Sequence, residues 1–316
     1  MAAGSSSQRS SKNRIAQFTA AWLTEMSISL HEQEVKGLYN SAMFEKFWHQ
    51  KLRRPYRLAR TIDVGSGQPI VLLHGIGRTG QVWQHVVEQL QPLGRQRVVA
   101  FDLLGFGASP KPDWLQYNVD DHAQAVIASI ERLRASAPIV LVGHSMGCLV
   151  AVRVAKLRPD LVKHLVLYEM PLYEGLPEKR RYRLRLDLYR RFYAWVARYQ
   201  PTFDPLTVHR TERLAKKIVG FEVTEPTWQP FVRSLENTIV KQTTAADIKQ
   251  LDVPMDVIYG TWDMLVIRGK ERQIFGSDLP QLTLHTVRAR HTISVKASRF
   301  IVRRIRAALE ESTGGR

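Results

Sequence analysis

The segment Gly143-His144-Ser145-Met146-Gly147 follows the apolar run 138–142 and opens into Cys148-Leu-Val-Ala-Val-Arg-Val-Ala-Lys156. A serine between two glycines, where a strand turns into a helix, can carry its hydroxyl on a strained turn at the strand's exposed tip. The residues two before and two after it must lack a Cβ to fit that turn. The amides at the start of the following helix then face any negative charge that develops there. The chemistry this suits is attack of a hydroxyl on a carbonyl carbon. As a bare pattern it is weak, because about one chain in ten of this length would carry it by chance. Its partners decide.

Two further sets of residues complete the chemistry. His74-Gly75-Ile76-Gly77 closes the first central strand with small residues that let the loop bend and aim the Ile76 amide inward. That amide and the Met146 amide, directly after the serine, form a predicted oxyanion hole, each donor worth on the order of 10²- to 10³-fold in rate. A serine hydroxyl also needs a base, and the base needs a group to orient it. Asp263 ends Tyr259-Gly260-Thr-Trp-Asp263 just past one strand, and His291 ends Arg288-Ala-Arg-His291 just past the last. Both fall at carboxyl ends of strands, where open α/β sheets place their sites. Glu169, past another strand, is the reserve acid. His285 is a rival base by type, but alternates outward in Leu282-Thr-Leu-His-Thr-Val287. Blander roles are helix capping for Ser145, a solvated turn for Asp263, packing against the sheet for His144, and core filling for Cys148.

Elements that would position these groups can be read from periodicity. Strands are predicted at 56–64, 68–73, 98–101, 139–142, 161–168, 255–259 and 282–287, with helices near 80–91, 119–135, 146–157 and 298–311. Such alternation implies right-handed βαβ units and a mostly parallel sheet with helices on both faces. After Pro171 it stops for about 80 residues. There 178–199 reads as a helix with Leu184, Leu188, Phe192, Trp195 and Tyr199 on one stripe. The expected organisation is a disordered tail and helical extension over 1–55, a core over 56–171, a helical insertion over 172–249, and the rest of the core over 250–316.

Together these motifs resemble the α/β-hydrolase superfamily, whose triad runs serine, acid, histidine along the chain. The resemblance covers about 56–171 and 250–312 and rests on His74-Gly-Ile-Gly77, Asp102-Leu-Leu-Gly-Phe-Gly-Ala-Ser109, Gly143 to Gly147, Gly260-Thr-Trp-Asp263 and His291. It implies a cofactor-independent serine hydrolase acting on an ester or thioester, with Ser145 as nucleophile, His291 as base and Asp263 as orienting acid. The family's Asp102-type loop shapes the site wall, and its mobile helical lid corresponds to 172–249. His74, Gly75, Gly77, His144 and Arg290 are the expected substrate-binding positions. Leu104, Cys148 and Arg290 depart from residues common in the family, and Arg290 puts a cation beside His291 that could also bind an anionic substrate. Carbon-carbon bond hydrolases resemble the chain too, through a similar G-x-S-M-G elbow, but Thr292 stands where they often carry Trp. A perhydrolase, or a hydrolase-like binding protein, is a further alternative.

Composition narrows the class. The 316 residues carry 46 Lys and Arg against 29 Asp and Glu, a net charge of +17. The excess is concentrated in 1–65, with 10 basic to 5 acidic residues, and in 264–316, with 11 to 4. A basic insertion and C-terminal helix could meet a membrane surface or another anion, whereas no motif for specific nucleic-acid recognition accompanies them. Cys148 is the single cysteine, which excludes a disulfide framework or thiolate metal cluster and suggests a reducing, cytoplasmic setting. No cofactor or metal is expected. The Ser-rich basic start lacks a secretory signal's apolar core, and Ile15, Phe18, Trp22 and Met26 on one helical face leave a mitochondrial presequence conceivable.

Overall fold

A computed structural model describes residues 43–52, 54–91, 96–172, 191, 224–263, 265–266 and 279–310. The chain divides into two units, 1–55 and 56–316. In the first, a helical turn over Phe47–Lys51 leaves Phe44, Phe47, Trp48 and Leu52 exposed. The tail, the helix expected before residue 43 and that over 178–199 lie outside the described residues.

The second unit is built on a seven-stranded sheet: β1 (Arg60–Val64), β2 (Gln68–Leu73), β3 (Gln96–Phe101), β4 (Ile139–His144), β5 (Val162–Tyr168), β6 (Met255–Gly260) and β7 (Leu282–Val287). Their order is β1-β3-β2-β4-β5-β6-β7, parallel except for β1 against β3. The central strands read as unbroken apolar runs because helices bury both faces. Successive residues of β2 therefore enter different cores. Val71 and Leu73 pack with α2 (Val119–Glu131) and α3 (Met146–Leu157) on one side. Ile70 and Leu72 join α1 (Gln84–Leu90) and α6 (Val295–Glu310) on the other. Full burial of such a side chain stabilises by about 1.5–3 kcal/mol.

Local signals set the helix ends. Asn118 caps α2, accepting the Asp121 amide at 2.8 Å while Asp121 returns a carboxylate to the Asn118 amide at 3.1 Å. On α6, Ala297, Ile301, Val302, Ile305 and Ala308 are buried, while Lys296, Arg299, Arg303 and Arg306 face solvent. The described part of the insertion is helical, with α4 (Glu225–Ser234), a turn over Leu235–Val240 and α5 (Thr244–Ile248). Phe231, Leu235 and Ile239 belong to the first core, and Ser234 meets His122 at 3.0 Å. Among the described residues, no helix is long and apolar enough to cross a membrane.

Candidate active site

Ser145 stands between β4 and α3 with φ +52° and ψ −121°, a conformation costly for a residue with a Cβ. The surroundings enforce it. The Ser145 amide donates to the Tyr168 carbonyl at 2.9 Å, and the Ser145 carbonyl accepts the Cys148 amide at 2.9 Å. The flanking glycines permit it. A Cβ on Gly143 would stand 2.7 Å from the Cys148 backbone, and one on Gly147 would stand 2.5 Å from the Leu73 carbonyl oxygen. The serine is thus held at the strand tip by close backbone packing that only glycine tolerates.

The loop over 74–77 abuts it. A Cβ on Gly75 would lie 3.0 Å from the Ser145 Cβ. Met146 opens α3, where an N–H has no intrahelical partner. Among the described residues the Ile76 amide has no protein acceptor either. Two buried amides therefore remain for an oxyanion. His74 is fully buried; its Nε2 accepts the Leu103 amide at 2.8 Å and its Nδ1 donates to the Gly75 carbonyl at 2.7 Å. Burial pushes this imidazole down to about 4, so it stays neutral. With both nitrogens engaged it shapes the loop and offers no ring nitrogen to a substrate, unlike the expected role. Asp102 closes the loop's far end, accepting the Gly80 amide at 2.8 Å and the Ala108 amide at 2.9 Å.

His291 Nδ1 lies 2.8 Å from Asp263 Oδ2, and the Asp263 side chain is fully buried. A carboxylate only accepts, so Nδ1 carries the proton and Nε2 is left as the basic nitrogen. Burial opposes ionisation of Asp263, but the bond and charge of His291 and the Leu265 amide at 2.6 Å outweigh it and hold the carboxyl well below its usual range. Two bonds fasten the histidine's loop to the elbow. His144 Nε2–H donates to the His291 carbonyl at 2.9 Å, and the Tyr168 hydroxyl donates to the Arg290 carbonyl at 2.6 Å. The His144 and His291 rings are 5.0 Å apart. Ser145 Oγ makes no hydrogen bond among the described residues; catalytic pairs of this kind commonly tighten only with substrate in place.

The model of a protein family described as the alpha/beta hydrolase family matches residues 70–301. The chain belongs to the alpha/beta hydrolase family. The 2-hydroxymuconate semialdehyde hydrolase of Pseudomonas sp. (strain CF600) is 37% identical over 123 residues, 36% of this chain and 42% of that one. The chain thus spans about two fifths of that relative's length. The karrikin insensitive 2 receptor CA of Petunia hybrida is 26% identical over 227 residues, 64% of this chain and 77% of the receptor. Among solved structures, a thermophilic esterase from Thermogutta terrifontis superposes with TM-score 0.60 at 22% identity, over 80% of this chain and 93% of that one. That likeness is one of fold.

Within this alpha/beta hydrolase, the other expected positions fall as follows. Gly75 and Gly77 flank Ile76 in the loop after β2, Gly77 with φ +64°. His144, next to Ser145, is buried and stacked on Tyr168, and burial with the nearby His291 pushes it well below its usual range. Arg290 is exposed, its carbonyl taken by Tyr168. The cation whose field reaches His74 and His144 is instead Arg78, directly after the oxyanion loop, which the sequence reading passed over. His285 is far from any role as base: it bonds Asp256 at 2.6 Å, and His164 bonds the same carboxylate at 3.0 Å. Cys148 is buried with its thiol pushed up, as a core residue should be. Glu169, Asp263 and His291 bring donor atoms within 4.8 Å of one another, the spacing a metal would need. Two of these groups are already paired by the His291–Asp263 hydrogen bond, and Glu169 Oε1 accepts the Gly260 amide.

Proposed function

We propose that this alpha/beta hydrolase is a cofactor-independent serine hydrolase that cleaves a carboxylic ester or thioester through an acyl-enzyme. The observation that carries this is the Ser145 backbone strained to φ +52° past β4 together with the buried Asp263–His291 pair past β6 and β7, all at carboxyl ends of the parallel strands. Ser145 Oγ attacks the carbonyl carbon as His291 Nε2 takes its proton, and the Ile76 and Met146 amides receive the oxyanion. His291 returns the proton to the leaving group. Water, deprotonated by the same nitrogen, then releases the acid. Asp263 keeps Nδ1 protonated and stabilises the imidazolium in both halves.

A fluorophosphonate probe tests this. Wild type labels at one serine and Ser145→Ala does not; folded wild type that fails to label overturns the proposal. A second reading, carbon-carbon bond hydrolysis, is favoured by the 37% identity with the semialdehyde hydrolase. p-Nitrophenyl esters of graded chain length, assayed beside a vinylogous diketone, separate the two. Diketone cleavage without ester turnover assigns the carbon-carbon activity.

A further inference from the structure

Glu169 directly follows β5 and is fully buried, yet no step of the mechanism above uses it. Its φ is +54°, a left-handed backbone that a long side chain adopts only when the fold imposes it. The strain places its carboxyl beneath the triad. Glu169 Oε1 accepts the Gly260 amide at 2.5 Å. Gly260 is itself required there, since a Cβ at that position would collide with the Glu169 carboxyl and the Ala289 carbonyl. The Glu169 and Asp263 carboxyls face each other, bringing oxygens within 4.8 Å of one another and of a ring nitrogen of His291.

Both residues are buried, and two like charges at that separation in a buried site do not both persist, so one of the two carboxyls keeps its proton. Asp263 already accepts His291 Nδ1–H, the Leu265 amide at 2.6 Å and the Val266 amide at 3.2 Å, so it is the partner that holds the charge. We infer that Glu169 is a positioning residue that remains a neutral acid, donating its proton to Asp263, so that the acid of the triad is a carboxyl pair carrying a single negative charge. The neutral acid fixes Asp263 from below while His291 fixes it from the front.

Groups packed around the pair share its apolar setting. Burial raises the Tyr168 phenol and the Cys148 thiol and pushes the His144 imidazole well below its usual range. The consequence is for catalysis. A doubly charged pair would over-stabilise the imidazolium and make His291 a poor acid for the leaving group. A single charge avoids this while keeping Asp263 rigid.

This role presupposes the serine chemistry proposed above, and Glu169→Gln separates the two. Glutamine can accept the Gly260 amide with its oxygen and donate to Asp263 with its amide, matching a protonated Glu169. The rate of fluorophosphonate labelling at Ser145 is measured from pH 5 to 9 in wild type and variant. With a neutral Glu169, the pH midpoint of labelling stays within about 0.3 units and the plateau rate within about threefold. Had Glu169 been ionised, its neutralisation would lower the midpoint by about one unit or more, and that result overturns the assignment. Glu169→Ala, which keeps neither bond, loses at least about tenfold in plateau rate against Glu169→Gln; equal rates in the two variants also overturn it. Failure of wild type to label at all refutes the serine hydrolase and not the carboxyl pair.

Discussion

Replacing Gly147 with alanine adds one methyl at the contact between α3 and β2. Gly147 does not have a positive φ, so alanine can adopt its backbone; the obstacle is space alone. The new Cβ would meet the Leu73 carbonyl oxygen at 2.5 Å and the His74 carbonyl oxygen at 2.6 Å, whereas ordinary contact begins at 3.4 Å. The helix or the strand end must therefore retreat by about 0.9 Å, the difference between 3.4 and 2.5 Å. Both carbonyls are backbone atoms, so no rotamer change relieves the overlap. Overpacking of this kind costs about 1–3 kcal/mol, offset by about 1 kcal/mol because alanine favours helix over glycine. Stability should fall only modestly. Activity should fall far more, because α3 carries the Met146 amide and His74 begins the loop that carries Ile76, so the retreat separates the two oxyanion donors. A misplacement of about 1 Å costs on the order of 10²-fold in rate. The assay is the fluorophosphonate labelling rate of Ser145 beside the thermal midpoint. The expected result is a loss of about 10²-fold in labelling with a shift of a few degrees. Labelling within twofold of wild type would refute the tight coupling of elbow and oxyanion loop.

Other expectations follow from the same contacts. Tyr168→Phe removes the hydroxyl that holds the Arg290 carbonyl, so it should cost about 1 kcal/mol and slow labelling severalfold; an unchanged rate would mean that His144 alone holds the histidine's loop. Asp256 is buried between β5 and β7, and although burial opposes its ionisation, His164, Arg304 and His285 hold it at about 2 against 3.8 when free. That depression is worth about 2 kcal/mol, present above about pH 4 and lost as the pH falls towards 2. Wild type should therefore be more stable than Asp256→Asn in urea at pH 6, with the gap narrowed by about half at pH 3. A gap independent of pH would show that the network does not depress the carboxyl.

Much of the site was legible because its requirements are local. The Ser145 turn needs glycine at 143 and 147, and that spacing is written in consecutive residues. The strands of the central sheet announce themselves as short apolar runs, and α3 starts at Met146 as its motif demands. Asp263 and His291 were recognisable because each follows a strand directly, where parallel sheets place functional groups. The partner of β1 was not legible: the strand pairs with β3 and not with the adjacent β2, since Gly65 to Gly67 turn the chain but do not choose its partner. Arg78 gave no signal, because nothing in one residue's type tells that its charge will reach two buried imidazoles.

By itself, the sequence determined which residues turn and which face inward, since these depend on neighbours a few positions apart. Only the tertiary structure decided which distant groups meet. The sheet order sets β5 beside β6, so that Glu169 reaches Gly260 and Asp263, and β4 beside β5, so that Tyr168 and His144 together grip the histidine's loop. Glu169 illustrates the difference. Along the chain it is one acid after one strand, but burial against a second carboxyl makes it a proton-bearing partner, because a low-dielectric interior tolerates one such charge and not two.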